Sequence, residues 1–288
     1  MKNMLVIMLI AGLVVGGVAT TPVNADTHYF VVETGNWVGQ RWNLVGCGGA
    51  ASDGEPEDPD DIAVICSGNT ATLDTEEVIL RIDVNTDGTL IIASSGTLIL
   101  GGNDVTSTIH GTIELTGELR PSPLPTAGDH TFVGGGEIVG QASSAQILLD
   151  SATVGAVISS ITIRGILEIG NYDGANGTFV TAGGVIHADT NGTLKISTQG
   201  LRDDSEASAT LYKVSHANAI LEFAMDCTGG ACPANCLSKA YFEVIEGKLK
   251  VDNGVIGLHT NGTITAEPGA IIEVLSAEAV FSRLASCS

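Results

Sequence analysis

Aromatic side chains are scarce in this chain: two Trp, four Tyr and six Phe in 288 residues, or 4%. That argues against an antiparallel sandwich or barrel of five- to six-residue strands, which would carry several rings in a compact core. Bases are scarcer still, with Lys+Arg at 12 against Asp+Glu at 33, for a formal net charge of -21. Such a surface repels phosphate backbones, so nucleic acid is excluded as a natural partner. Charged residues make up only 16% and hydrophobic residues 44%, which excludes disorder driven by charge and low hydrophobicity. Helix periodicity is nearly absent. Glycine is plentiful, at 37 residues, but lacks the every-third-residue period of collagen.

Only one long apolar run occurs, at the N-terminus. Lys2 precedes an apolar stretch from Met4 to Val18, followed by small and polar residues up to Val23-Asn24-Ala25. A basic start, an apolar centre and a small-residue exit describe a secretory signal peptide over residues 1–25. No later run approaches the ~20 residues that cross a bilayer, so no membrane span is expected once the signal is removed. Six cysteines suit an oxidising compartment: Cys47, Cys66, Cys227, Cys232, Cys236 and Cys287. Their even number favours disulfides. A zinc site would need paired Cys-x2–4-Cys ligands and a fourth partner in recognisable spacing, which the 227–236 cluster lacks. Cys47 and Cys66 flank an acidic loop and are expected to pair. One further bridge is expected within 227–236, with the remaining cysteine tied to Cys287.

From residue 78 onward a phrase recurs: glycine, a small or polar residue, then alternating aliphatics. It appears as Gly88-Thr89-Leu90-Ile91-Ile92, Gly96-Thr97-Leu98-Ile99-Leu100, Gly111-Thr112-Ile113-Glu114-Leu115 and Gly192-Thr193-Leu194-Lys195-Ile196, with variants at Gly165, Gly247 and Gly262. Alternation over about four positions is the period of a half-buried strand. Turn dipeptides such as Asp87-Gly88 and Asn191-Gly192 separate the phrases. Similar strands recurring along one chain predict an all-β solenoid, a right-handed single-stranded parallel β-helix, with ladders of aliphatic side chains inside. Narrow coils are expected to favour aliphatics over large rings. At roughly 20–25 residues per coil, within the usual solenoid range, residues 70–275 would supply about eight to ten coils. The expected division is an N-terminal cap over 26–75, coils over 76–274 and a C-terminal cap over 275–288. Glu273 to Ala285 suits either a short terminal helix or a last strand.

The cap region also carries a family resemblance. Asn36-Trp37, Trp42, the strand opening Pro59-Asp60-Asp61-Ile62-Ala63-Val64-Ile65 and Thr72-Leu73-Asp74 run straight into the first Gly-Thr-Leu-Ile-Ile phrase. This order resembles the opening of secreted bacterial pectin-lyase-like β-helix proteins, including autotransporter passenger domains and large surface adhesins. The resemblance implies a Trp-bearing loop over the first coil, the β-helix fold and secretion.

Catalytic signals are thin. Asn85-Thr86-Asp87-Gly88 matches the first motif of pectin-degrading glycoside hydrolases, whose chemistry needs two carboxylates, one as acid and one to activate water. The family's Gly-His-Gly and Arg-x-Lys motifs are absent, and the next Asp-Asp is Asp203-Asp204, far downstream. Asp87-Gly88 also serves as an ordinary turn. A lyase would need a free base; Arg81, Arg164 and the cluster Arg202-Asp203-Asp204 are the candidates, each equally readable as a surface ion pair. There is no Gly-x-Ser-x-Gly and no His-Glu-x-x-His. The histidines, His28, His110, His130, His187, His216 and His259, are scattered and read mostly as surface or corner residues. The loop carrying Asp53, Glu55, Glu57, Asp58, Asp60 and Asp61 is a weak Ca2+ candidate on its oxygen content, although its spacing is not that of an EF-hand and a solvated loop explains it. Asn176, Asn191 and Asn261 each begin the glycan-acceptor triplet Asn-Gly-Thr.

These observations predict a secreted or cell-surface structural or adhesive protein without a recognisable catalytic centre, with an extracellular glycan, matrix or surface protein as partner. The alternative is a carbohydrate-active enzyme, a polysaccharide lyase or glycoside hydrolase.

Overall fold

A computed structural model describes residues 25–288 except 53, 103, 122–128, 150–155, 173–176, 204–208, 225–234, 238–239, 254, 260–261, 276–279 and 285–288. The chain winds as a parallel β-helix with three strand-bearing faces. Thr27–Phe30, Ile62–Ile65 and Arg81–Val84 pair in parallel on the first face. A parallel bridge from Val84 to Ile109 carries that face into an eight-stranded sheet that runs from Val105–Thr108 to Val280–Leu284. The second and third faces belong to one fifteen-stranded sheet. Several strands turn the corner between those two faces without a break, among them Glu137–Leu149, Thr162–Asn171 and Tyr241–Asn253.

The repeated phrases produce this stack because each offers alternate aliphatics to the inside. On the second face, Ala71, Leu90, Ile113, Ile138, Ile163, Ile186, Tyr212 and Phe242 lie in successive register. All eight are buried. On the third face, Leu98, Leu119, Ile147, Ile169, Ile196, Phe223 and Val251 do the same. Register on the second face advances from Thr70 to Thr89, Thr112, Glu137 and Thr162, steps of 19, 23, 25 and 25 residues. This is the coil length expected from the phrases. Their irregular spacing along the chain comes from one to three strands being drawn from each coil.

Inward and outward positions should differ sharply in energetic weight. Leu98→Ala is expected to cost about 2–5 kcal/mol, the range for a buried large-to-small change. Thr97→Ala, at a half-buried outward position, should stay within about 0.5 kcal/mol. Urea unfolding of the two variants measures the difference, and equal losses would contradict the assignment of faces.

The interior departs from expectation in one respect. Large rings are not excluded from the coils: Phe132, Phe179, Tyr212, Phe223 and Phe242 are all buried inside. Coil spacing explains why. Strands stack ~4.8 Å apart, within the range preferred by offset aromatic pairs. Tyr212 accordingly stacks on Phe242 at 4.8 Å between centroids with planes 11° apart, and Phe223 meets Phe242 edge-on at 5.9 Å.

At the N-terminal end, parallel pairing already begins at Thr27, so residues 26–75 contribute strands of the stack as well as its cover. The cover is built from Trp37 and Trp42. Trp42–Asn43 pairs antiparallel with Thr27–Phe30 and forms the outer edge of the first face. The Trp42 ring packs edge-on against Phe30 at 5.1 Å and Trp37 at 4.7 Å. Its Nε1 donates to the Trp37 carbonyl at 2.8 Å. The expected Cys47–Cys66 disulfide is present, with Cα atoms 5.6 Å apart. A bridge closing a loop of this size stabilises by about 3 kcal/mol in the chain-entropy treatment. Cys227, Cys232 and Cys287 lie outside the described residues. Cys236 is placed on the strand Asn235–Leu237 by its backbone alone, so the other two expected bridges fall outside the description. At the other end, Ile271–Val274 and Val280–Leu284 are strands, which resolves the helix-or-strand alternative for most of Glu273 to Ala285 in favour of strand.

Candidate functional site: an axial groove at the first corner

Where the first face turns into the second, the coils that begin at Arg81, Val105 and His130 make a tight corner before the next strand. Asn85-Thr86-Asp87-Gly88 closes one corner through the Gly88 N–H to Asn85 carbonyl bond, 2.9 Å. Asp87 there adopts a left-handed φ of 60°, which short polar side chains tolerate. One coil on, the N–H groups of His110 and Gly111 both reach the Val84 carbonyl, at 2.8 and 3.1 Å. One coil further, Gly136 N–H bonds the Ile109 carbonyl at 2.8 Å. Glycine is required at Gly111 and Gly136 because a Cβ on either would collide with a carbonyl oxygen of the coil beneath. Without side chains at these positions, the corner becomes a shallow trench parallel to the helix axis.

The trench encloses about 300 Å³ and is lined by Thr86, Asp87, His110, Thr112, Glu137 and Thr162, above the glycine floor. Thr89, Thr112, Glu137 and Thr162 stand one coil apart in a single outward column. Glu137 is held on both oxygens by Arg164, with Nε at 2.7 Å and Nη2 at 3.1 Å. Those hydrogen bonds hold its carboxyl below the usual carboxylate range, against the opposing effect of burial. The same contacts raise the Arg164 guanidinium further above its ordinary value, and its Nη1 also reaches Asp189 at 3.3 Å. His110 shares a 2.9 Å hydrogen bond between Nδ1 and the Gly134 carbonyl. A carbonyl only accepts, so Nδ1 carries the proton and Nε2 of the neutral ring is an acceptor. Beside the trench, burial raises the Asp83 carboxyl, opposed by the Thr108 N–H at 2.8 Å and by Arg81.

The outer surface beyond the trench is stitched by ion pairs. Glu168, Lys195, Glu222, Lys250 and Glu273 occupy one column in alternating sign. Lys195 meets Glu168 at 2.9 Å, Lys250 meets Glu222 at 2.7 Å, and Lys248 meets Glu273 at 2.8 Å. Lys213 pairs with Glu243 at 3.1 Å, and Arg120 with Glu118 at 2.6 Å. Two of the bases that the sequence offered as candidates are likewise engaged with acids, Arg81 with Asp83 and Arg164 with Glu137.

The structure sorts the sequence candidates. Asp87 lies in the trench. Arg202 and Asp203 sit on the strand Gly200–Asp203, away from it, and Asp204 is outside the described residues. In the acidic loop, two of the calcium candidates have described hydrogen bonds to other parts of the protein. Asp61 is buried, and its Oδ2 accepts the N–H groups of Glu57 and Asp58, both at 3.1 Å, with His28 Nε2 at 3.4 Å. Glu55 accepts the Gly39 N–H at 2.8 Å. Asp61 therefore closes the loop on itself, and Glu55 fastens it to the cover at Gly39. Glu57, Asp58 and Asp60 lie on the same loop, and Asp53 is outside the description. Among the described residues no three His, Cys, Asp or Glu side chains converge as a metal site. His28 and His130 are buried rather than superficial. His187 is partly buried, 2.6 Å from the Ser215 hydroxyl.

His110 and Glu137 belong to the trench but to no sequence motif. Aligning the phrases on the glycine that opens each second-face strand would have placed Asp87 above His110, and Thr89 and Thr112 above Glu137. That column signal was present in the sequence, but insertions between phrases concealed it.

Comparison with family models, curated proteins and solved structures finds no match for this chain. Fold and site therefore define its class on their own terms: a parallel β-helix with a polar axial trench at one corner. No helix among the described residues is long and apolar enough to cross a membrane.

Proposed function

We propose that the protein is a secreted or cell-surface structural and adhesive β-helix that holds an extracellular glycan in the corner trench. The trench carries this reading: it is open, polar and parallel to the axis, and it presents hydroxyls at the repeat of the coils. A chain of sugars, itself a repeating array of hydroxyls, suits such a lining better than an apolar partner does. The N-terminal apolar run, the disulfide and the resemblance of the Trp-bearing cover to pectin-lyase-like surface proteins support export. The rod geometry supports a role in display or adhesion to matrix or surface components.

A hydrolase is the second reading, favoured by Asp87 and Glu137 lining one trench. Glu137, kept ionised by Arg164, suits the base or nucleophile and not the acid, so the proton for the leaving oxygen would have to come from Asp87 or His110. One experiment separates the two. The purified protein is incubated with a panel of insoluble and soluble polysaccharides while retention, unsaturated products and new reducing ends are measured. The adhesive reading expects retention on at least one glycan without turnover. Clear product formation would replace it with the enzymatic one.

A further inference from the structure

We infer that the corner trench selects glycans bearing protonated amines over both neutral and uronate chains, with Asp87 as the selecting residue. This inference rests on the glycan reading of the trench and adds a charge preference to it. Among the lining side chains the two carboxylates only accept, while the threonine hydroxyls both accept and donate. Asp87 is exposed at the trench rim, and no ion pair engages its carboxylate among the described contacts. The second carboxylate, Glu137, is occupied by Arg164 and by the Thr112 hydroxyl. In a neutral His110 ring Nε2 is the acceptor, because Nδ1 donates to the Gly134 carbonyl. Arg164, which contacts the lining residue Glu137, is fastened between Glu137 and Asp189, so it is not available to a ligand carboxylate. Around the trench lies a chain of formal net charge -21, whose field concentrates cations and repels anions.

A donor-rich, positively charged ligand meets each of these conditions. An ammonium group can sit on Asp87 in a charge-assisted hydrogen bond, while ring hydroxyls pair with the threonine column and His110. A uronate chain would bring its own carboxylates against Asp87 with no Lys or Arg in the trench lining to offset them. A basic peptide also supplies ammonium groups. It has no hydroxyl array to match the column, however, and the trench offers no apolar wall to hold its stems.

Calorimetric titration of the purified protein tests this with a glucosamine hexamer, its fully N-acetylated counterpart, a galacturonate hexamer and an oligolysine of similar charge. The glucosamine hexamer should bind about tenfold more tightly than the N-acetylated one, the discrimination expected from one charge-assisted contact. The galacturonate hexamer should bind least. Asp87→Asn keeps a residue that tolerates positive φ, so its melting temperature should be unchanged while the tenfold preference disappears. In the unmodified protein, raising the salt concentration should shrink the preference, because exposed charges are screened. Equal binding of the amine and N-acetyl hexamers overturns the amine selection but leaves the glycan reading standing. Binding of no hexamer overturns both. Oligolysine binding as tightly as the glucosamine hexamer, a preference insensitive to salt, or one retained in a folded Asp87→Asn protein would each overturn the proposal.

Discussion

Acidification from pH 6.5 towards 3 is expected to remove up to about 5 kcal/mol of stability through one side chain, His130. The ring lies wholly inside the coils, against Phe132 at 5.0 Å. It shares a 2.9 Å hydrogen bond with the Ser107 hydroxyl, which also accepts the Ile82 N–H at 3.1 Å. Nδ1 has no hydrogen-bond partner among the described groups. Burial in this setting penalises the imidazolium and pushes the pKa down from 6.5 to about 3. An unfolded chain takes up the proton near 6.5, whereas the folded one resists it until about 3. The folded state is therefore at full advantage above pH 6.5 and loses it progressively as pH falls through that window, at about 1.4 kcal/mol per pH unit. His130→Gln retains a polar partner for Ser107 but does not titrate. Urea midpoints at pH 7 and pH 4 should fall by roughly 3 kcal/mol more in the unmodified protein than in the variant, after conversion with the measured slope. Parallel pH profiles for the two proteins would show that the ring is reached by water or paired in the folded state.

Trp42→Ala is expected to lower stability by about 3–5 kcal/mol, the range for deleting a large buried ring. The ring is fully buried between Phe30 and Trp37, and its Nε1 bond to the Trp37 carbonyl ties the cover to itself. Its loss would also uncover the first coil, whose strand edge then becomes a template for pairing with another chain. Denaturant unfolding measures the first effect and light scattering at raised protein concentration the second. A loss below about 1 kcal/mol with no new association would mean that the Cys47–Cys66 bridge holds the cover in place without the ring.

These two predictions draw on different levels of information. The two tryptophans, placed ahead of Cys47 and of the first Gly-Thr-Leu-Ile-Ile phrase, were legible as part of a cover from the sequence order. His130 was not. Its strand reads His-Thr-Phe-Val with alternation that suits either orientation, and only the register against Val105 and Ala156 decides that the ring faces inward. The rings of Tyr212 and Phe242 were similarly hidden: 30 positions separate them in sequence, yet they occupy neighbouring rungs of one column.

By itself the sequence determined that this chain is a stack of short parallel strands with alternate apolar side chains turned inward and a bridged, tryptophan-bearing cover. It could do so because burial of alternate side chains and the chemistry of Asp-Gly and Asn-Gly turns act over a few residues, so each phrase states its own local structure. Tertiary structure alone decided which outward side chains meet. Coils of 19, 23 and 25 residues bring Glu137 to Arg164 and Asp87 to the corner of His110 and Gly136, and the long excursion before Ile62 breaks any fixed period. The trench therefore exists only in register space, where an insertion of a few residues in one loop changes which groups become neighbours without altering a single strand.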